Sequence, residues 1–485
     1  MNYNFAFIYG ICNDLFKPVQ QEQKCEGNII PEKLKLDLFK DSGFFIGMKN
    51  GLTGYIGKPA TEDGHILCVG YPSSGKTQGL VIPTMKTWKG SQINIDIKRN
   101  LLKYWKKLNK HTGKKLKVFS PGAPKGSNCW YDPFAPLRRG NVVGNARILA
   151  LALIPLLPSN RDPIWVTASQ NFLTGAIIYY FEIGFSFIET MEFIQLTPIT
   201  ELVNQIMGDN NMTARIYMSK LKDVQEKVIG NLGMEISNLA TLVTDPEIKK
   251  ALLPKKGCDL LDWQELNTTT EPVDIILEFP EDNLERWEPM ILLLINQLIK
   301  SLEQRPERTY DMSSELPPVL VMLDEFPRLG KIFAIENGLA TLRSRGVTFA
   351  LFVQSFAQLE KTYGSIEAKV IADLCAYKAI LGIGDPASQE YFSKAIGCVE
   401  STHAGISANI DPISKMISSW GINSSETRKP IIYPQDFLTL QDVVLLNPFS
   451  GFCRADKTLY HEHEELFLDP QSLQNQEEEE GVKYD

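Results

Sequence analysis

Gly70-Tyr-Pro-Ser73-Ser74-Gly75-Lys76-Thr77 fits the pattern GxxxxGK[ST] at every fixed position. The apolar run His65 to Gly70 leads into it, and a helical pattern opens at Gln78, the setting in which such a loop cradles phosphate. Glycine at 70 and 75 permits backbone angles that a side chain blocks. The turn then aims several N–H groups inward, and the following helix adds its positive end. Gly70, Ser73, Ser74, Gly75, Lys76, Thr77 and Gln78 are therefore the expected nucleotide contacts. Lys76 is expected to reach the β- and γ-phosphates, and the Thr77 hydroxyl to hold Mg2+.

A second cluster lies some 250 positions later. Val319 to Leu323 is apolar and ends in Asp324-Glu325. Parallel sheets gather ligands at the carboxyl ends of their strands, so these acids should face the same cleft as the loop. Asp324 suits an outer-shell role on Mg2+, and Glu325 suits the base that activates a water. Without the loop, the pair would read as solvated acids at a strand end. Another apolar run, Val347 to Val353, ends in Gln354-Ser355. An amide there can sense a γ-phosphate or hold the water, or simply cap the strand. Arg343 and Arg345 lie between the two runs; in a ring, such an arginine can reach a neighbour's nucleotide. Surface pairing is the plainer role for both.

Lys98 to Lys117 holds nine Lys or Arg and no acid. Lys98, Lys103, Lys106, Lys107 and Lys110 form a candidate nucleic-acid face whose binding would be salt-sensitive and sequence-independent. Tyr104 and Trp105 lie among them and could stack on bases, or pack inward as the apolar side of a solvated helix.

The elements that must position these groups follow from the apolar pattern. Short buried runs at 65–70, 91–96, 116–120, 273–279, 317–324, 347–353 and 376–383 alternate with helical stretches, which predicts an α/β fold with a mostly parallel sheet. Pro83 should kink or end the helix that opens at Gln78. The texture between about 141 and 265 is helical. The expected organisation is an N-terminal arm (1–45), a nucleotide-binding domain (46–140 and 266–465), an all-helical insertion (141–265) and an acidic tail (466–485). Four glutamates at 477–480 repel one another and point to disorder there.

The 485 residues are 44% hydrophobic and 22% charged, with a net charge of -8, which fits a globular chain and excludes disorder throughout. Any nucleic-acid role must rest on a local basic patch. Eight scattered cysteines without a CxxC pair suit reduced thiols. No apolar stretch reaches the ~18 residues that span a bilayer. The reading is a soluble chain, anchored, if at all, through a lost segment or a partner.

Taken in order, these residues resemble the type IV coupling proteins, the TraG/TraD-type ATPases of conjugation and type IV secretion. The resemblance runs from about 45 to 455. It includes Gly64 to Gly79, Ile93 to Lys98 with Asp96 and Lys98, Tyr131-Asp132-Pro133-Phe134 and Asp162 to Trp165. It is strongest at Leu323-DEFPRLGKI-Ile332, followed by Arg345-Gly346, Gln354-Ser355, Gln358-Leu359 and Tyr363-Gly364. Asp132 departs from the asparagine usual in the family. The resemblance implies a RecA-like domain with an inserted helical domain, ATP and Mg2+ as ligands, and hexameric rings with ATP at subunit interfaces, favouring Arg345 as the arginine supplied in trans. It also implies a relaxase-bound DNA or an effector protein as cargo, and a secretion channel as docking partner. Most members carry N-terminal membrane helices. Their absence from this sequence points to a cytoplasmic protein, peripheral at the inner face of the membrane, with a separate anchor protein as a further partner. A nucleotide-gated receptor with little translocation, and a general hexameric DNA translocase, are the alternatives.

Overall fold

Along the buried strands, successive side chains point to opposite faces and both faces are apolar, so a layer must cover each side. The computed structural model describes residues 29–468, apart from 52–53, 111, 124–125, 157–162, 222–225, 309–315 and 411–416. The N-terminal stretch 1–28, Asp162 and the glutamate run lie outside the described residues. The strands are β1 (Lys35–Leu36), β2 (Gly43–Gly47), β3 (Tyr55–Pro59), β4 (Ile66–Gly70), β5 (Ser91–Asp96), β6 (Lys115–Phe119), β7 (Cys129–Trp130) and β8 (Asp259–Leu260). They continue as β9 (Val273–Glu278), β10 (Val319–Leu323), β11 (Val347–Val353), β12 (Tyr377–Gly382), β13 (Cys398–Ile410), β14 (Ile417–Pro430), β15 (Asp442–Asn447) and β16 (Gly451–Asp456).

Nine of them form one sheet in the order β16-β15-β12-β4-β11-β10-β5-β9-β6. From β12 to β6 every neighbouring pair is parallel, while β15 and β16 close one edge antiparallel. The seven parallel strands are those the apolar runs anticipate. Between β7 and β8 the regular elements among the described residues are helices, from Ala135–Arg138 to Pro246–Ala251, and include the 20-residue helix Pro163–Glu182. Residues Phe172, Leu173 and Ile177 of that helix join Leu67, Val69, Ile93 and Ile95 of the sheet in one core. Ile66, Cys68, Met322 and Phe352 point the other way, into a second core with Phe44, Phe45, Trp88 and Trp105.

Three findings differ from the sequence reading. The strands β1 and β2 begin inside the stretch read as an arm, because Phe44 and Phe45 are buried against the second core. Pro83 does not end its helix. The turn Thr77–Val81 widens, with the Ile82 N–H bonding five residues back to the Thr77 carbonyl. The α-helix Ile82–Thr87 then carries Pro83 in its first turn, where no N–H is needed.

Nor is Trp105 a stacking platform. It is buried, and its Nε1 donates to Asp274 Oδ2 at 2.7 Å. Tyr104 meets Tyr460 edge-on at 5.6 Å between ring centroids. The aromatic side of the helix Leu101–Leu108 is therefore its docking face. Trp105→Phe should lower stability to urea by about 1–3 kcal/mol, because it removes a donor from a buried carboxylate. An unchanged unfolding midpoint would show that this contact does not hold the helix.

Candidate functional site

The strands β4, β11, β10 and β5 lie side by side and run the same way, so Gly70, Gln354, Asp324 and Asp96 emerge at one edge of the sheet. The loop after β4 is held by positive φ at Ser73 (65°) and Gly75 (98°). Gly70 serves by size: a Cβ there would run into Ser74 Oγ. Lys76 is buried and donates to the carbonyls of Gly70 and of Tyr71, the latter at 3.2 Å. Burial lowers its pKa, and the carboxylates of Glu325 and Asp324 pull it back up. The Ser74 hydroxyl and the Gln78 carbonyl oxygen are buried without a partner. Gln78 Nε2 donates to the Tyr104 hydroxyl at 3.3 Å.

Asp324 and Glu325 are both buried. Burial pushes Asp324 up to about 6; Lys98 opposes the rise, and Glu325 adds to it. Glu325 sits in the left-handed region at φ 51° and ψ 42°, a conformation that costs a non-glycine residue about 1–3 kcal/mol. The turn is held by the Glu325 N–H on Asp324 Oδ1 at 3.1 Å and the Arg328 N–H on the Glu325 carbonyl at 2.8 Å. Beyond it, Phe326 stacks on Tyr363 at 5.1 Å, and the Thr362 hydroxyl donates to the Pro327 carbonyl at 3.0 Å. The segment after β10 is thereby fixed to the helix Phe356–Tyr363.

Gln354 joins the two halves. It extends from β11, between the loop strand and the acid strand, and its Nε2 donates to Glu325 Oε2 at 2.7 Å. Lys98 Nζ lies 3.7 Å from Glu325 Oε1. This places Lys98 at the acids and separates it from the candidate nucleic-acid face to which the sequence pattern joins it. Lys103, Lys106 and Lys110 are exposed, whereas Lys107 pairs with Glu464. Arg345 is also used differently from the expectation. Its guanidinium donates to the Arg305 carbonyl and lies 3.5 Å from Glu307, so its head group is engaged within its own chain. Arg343 is exposed, with no ion pair among the described residues.

Two contacts escape the sequence pattern. A Cβ on Gly75 would come within 2.9 Å of Leu459 Cδ2 and 3.7 Å of Lys457 Cδ. The Lys457 ammonium is held by the carbonyls of Leu381 at 3.2 Å and Leu440 at 3.4 Å. No local signal in 457–459 marks them as neighbours of a loop so far away in the chain. Asp96, singled out with Lys98 in the resemblance but given no role, accepts from the N–H groups of Lys98, Asn100 and Leu101. It fixes the turn that carries Lys98 to Glu325.

A phosphate loop at the end of one parallel strand, and a carboxylate pair two strands away across a polar strand end, define a RecA-like P-loop protein. The unpartnered Ser74 hydroxyl, the caged Lys76 and the buried Asp324 beside Thr77's loop fit a triphosphate with its Mg2+. The sequence profile of one such group, the type IV secretory system conjugative DNA transfer proteins, matches residues 37–480, and the chain belongs to that family. It is 23% identical to the conjugal transfer protein TraG of Escherichia coli over 426 residues, 82% of this chain and 65% of that protein. It is 27% identical to VirD4 of Rhizobium radiobacter over 351 residues, 69% of this chain and 48% of that protein. The chain thus spans less than two thirds of the length of these relatives. Among solved structures, the bacterial conjugative coupling protein TrwB in complex with an ATP analogue superposes with a TM-score of 0.66 at 14% identity, covering 91% of this chain and 92% of that one. TrwB in complex with ADP and Mg2+ aligns equally well, with a TM-score of 0.66 at 14% identity over 91% of this chain and 93% of that one. Among the described residues no helix is long and apolar enough to cross a membrane.

Ser74→Ala offers a direct check on the loop. It removes a buried hydroxyl that has no partner in the free protein, so thermal unfolding should be unchanged or shifted upward. Binding of a nucleoside triphosphate should weaken by about 1.5–3 kcal/mol, the worth of a hydrogen bond to a charged group. Unchanged binding in a titration with a fluorescent nucleotide would place the phosphates elsewhere.

Proposed function

We propose that the chain is an ATP-hydrolysing coupling protein, which brings a relaxase-bound DNA or a protein effector to a type IV secretion channel and powers its transfer. One observation carries the hydrolytic reading: Gln354 on the central strand bonds Glu325, while Lys76 lies close enough to Glu325 and Asp324 for their charge to raise its proton affinity. Family membership and the names of the relatives support the transport reading.

In this reading Gly70 to Gln78 bind the triphosphate, with the Lys76 ammonium on the β- and γ-phosphates. Thr77 and Asp324 would hold Mg2+, which supplies charge neutralisation on the phosphates. Glu325, oriented by Gln354, accepts the proton of the attacking water at Oε1 or Oε2. Burial excludes competing water and strengthens each of these contacts. Lys98 places a positive charge 3.7 Å from Glu325 Oε1. ATP is the preferred nucleotide, since Asn109-Lys110 lacks the aspartate of a guanine-reading NKxD.

The assembly is proposed to be a hexamer, peripheral at the inner membrane face, with an anchor supplied by another protein or by a segment outside this chain. Arg343 is the arginine best placed to serve a neighbour, because it is exposed while Arg345 is engaged at home. Lys103, Lys106 and Lys110 are the remaining candidates for phosphate contacts with DNA.

Lys76→Ala should abolish hydrolysis and weaken nucleotide binding. Glu325→Gln should keep the nucleotide and lose about 10²- to 10⁴-fold in turnover, as expected for a missing general base. Native turnover by Glu325→Gln would remove the base assignment. Hydrolysis measured with and without single-stranded DNA at two salt concentrations separates a DNA motor from a nucleotide-gated receptor. The motor predicts stimulation that fades with salt. A receptor predicts tight relaxase or effector binding with little stimulation. For the shared site, Arg343→Ala mixed with Lys76→Ala should recover part of the lost activity, because each subunit supplies what the other lacks. Recovery with Arg345→Ala but not with Arg343→Ala would reverse the choice between them.

A further inference from the structure

Glu325 accepts one hydrogen bond from a side-chain amide, and that amide is itself held by a second one. Gln358 Nε2 donates to Gln354 Oε1 at 3.2 Å, and Gln354 Nε2 donates to Glu325 Oε2 at 2.7 Å. The direction of this relay is forced. An ionised carboxylate only accepts, so Gln354 must turn its NH2 group toward Glu325. Its carbonyl oxygen then faces back along the helix Phe356–Tyr363 and needs a donor, which the NH2 group of Gln358 provides. Gln358 lies in the first turn of the helix Phe356–Tyr363, whose extended N-cap, Ser355, directly follows Gln354.

The helix itself is anchored. The Ser355 hydroxyl caps it by accepting the Gln358 backbone N–H at 3.4 Å, while Tyr363 stacks on Phe326 at the other end. Gln358 therefore stands at a fixed distance from the acids. It also lines a cleft of about 610 Å3 between Glu288, Pro327, Gly330 and Lys361, and its own carbonyl oxygen is buried without a partner. Among the described residues, no hydrogen bond joins Gln358 to Glu325, the phosphate loop or Asp324.

We propose that Gln358 is a positioning residue for hydrolysis: it locks the Gln354 amide in the one orientation that gives an N–H to Glu325. The inference rests on the reading of Glu325 as the base. Without the donor at 358, the Gln354 carbonyl oxygen loses its partner, and the amide, held only at its Glu325 end, can swing together with the carboxylate. Glu325 loses its alignment on the water, while the nucleotide contacts at 70–78 are untouched. The effect should appear in kcat and not in KM for ATP.

Two variants test this. Gln358→Met keeps the length of the side chain but donates nothing, and kcat should fall about tenfold with KM nearly constant, the size typical of a lost outer-shell partner. Gln358→Glu carries a donor only when its carboxyl is protonated. Its rate relative to wild type should be lowest near pH 8 and should climb as the pH falls through the range of a glutamic acid. A general packing defect would not produce that pH-dependent ratio, so the test survives partial loss of stability in either variant. Wild-type kcat in both variants, or a ratio for Gln358→Glu that does not vary with pH, overturns the inference and leaves the hydrolase reading standing. A wild-type chain without ATP turnover, or a fully active Glu325→Gln, overturns both.

Discussion

The site depends on the width of one strand. The phosphate loop hangs from β4 and the acids from β10, and β11 runs between them. Neighbouring strands are about 4.8 Å apart, so the two halves are separated by roughly 10 Å at the sheet edge. That gap is too wide for a direct bond between loop and acids and matches the reach of a phosphate with its metal. Gln354, at the end of β11, is the polar group that the fold puts in the gap. The parallel registers set Gly70 level with Gln354, and Asp324 level with Asp96 two residues short of them. Side chains from four distant parts of the sequence can therefore meet with little adjustment.

Charge burial explains why these groups need one another. Asp324 is raised by burial and Lys76 is lowered by it, so each alone would tend toward its neutral form. Placed together, Lys98 and Lys76 oppose that tendency at Asp324, and Glu325 and Asp324 oppose it at Lys76, while the like charges work the other way. The left-handed backbone at Glu325 belongs to the same arrangement. It is an unfavourable local conformation, held by the Arg328 N–H, by the Asp324 side chain and by the stacked Phe326–Tyr363 pair.

Much of this was legible in the sequence, for a physical reason. Parallel strands buried on both faces are short continuous apolar runs, and ligand groups follow at their ends, as at Gly70, Asp324 and Gln354. The antiparallel elements were not legible. The hairpin β13–β14 contains Gly, Ser and Asn where buried strands would have aliphatic residues, and β2 was hidden in a polar stretch because only Phe44, Phe45 and Ile46 mark it. Single residues stayed undecided where a long-range partner decides the outcome. Trp105 faces Asp274, Lys98 faces Glu325, and Arg345 turns to the Arg305 carbonyl. No periodicity in their own neighbourhoods encodes those choices.

The return of Lys457 and Leu459 to the phosphate loop has a bearing on biosynthesis. Gly75 packs beneath a side chain that a ribosome adds some 380 positions later. A growing polypeptide owns its phosphate-gripping turn early, yet lacks the lid of that turn until some 380 further residues have been added. The loop is thus covered only after every strand of the nine-stranded sheet has been made.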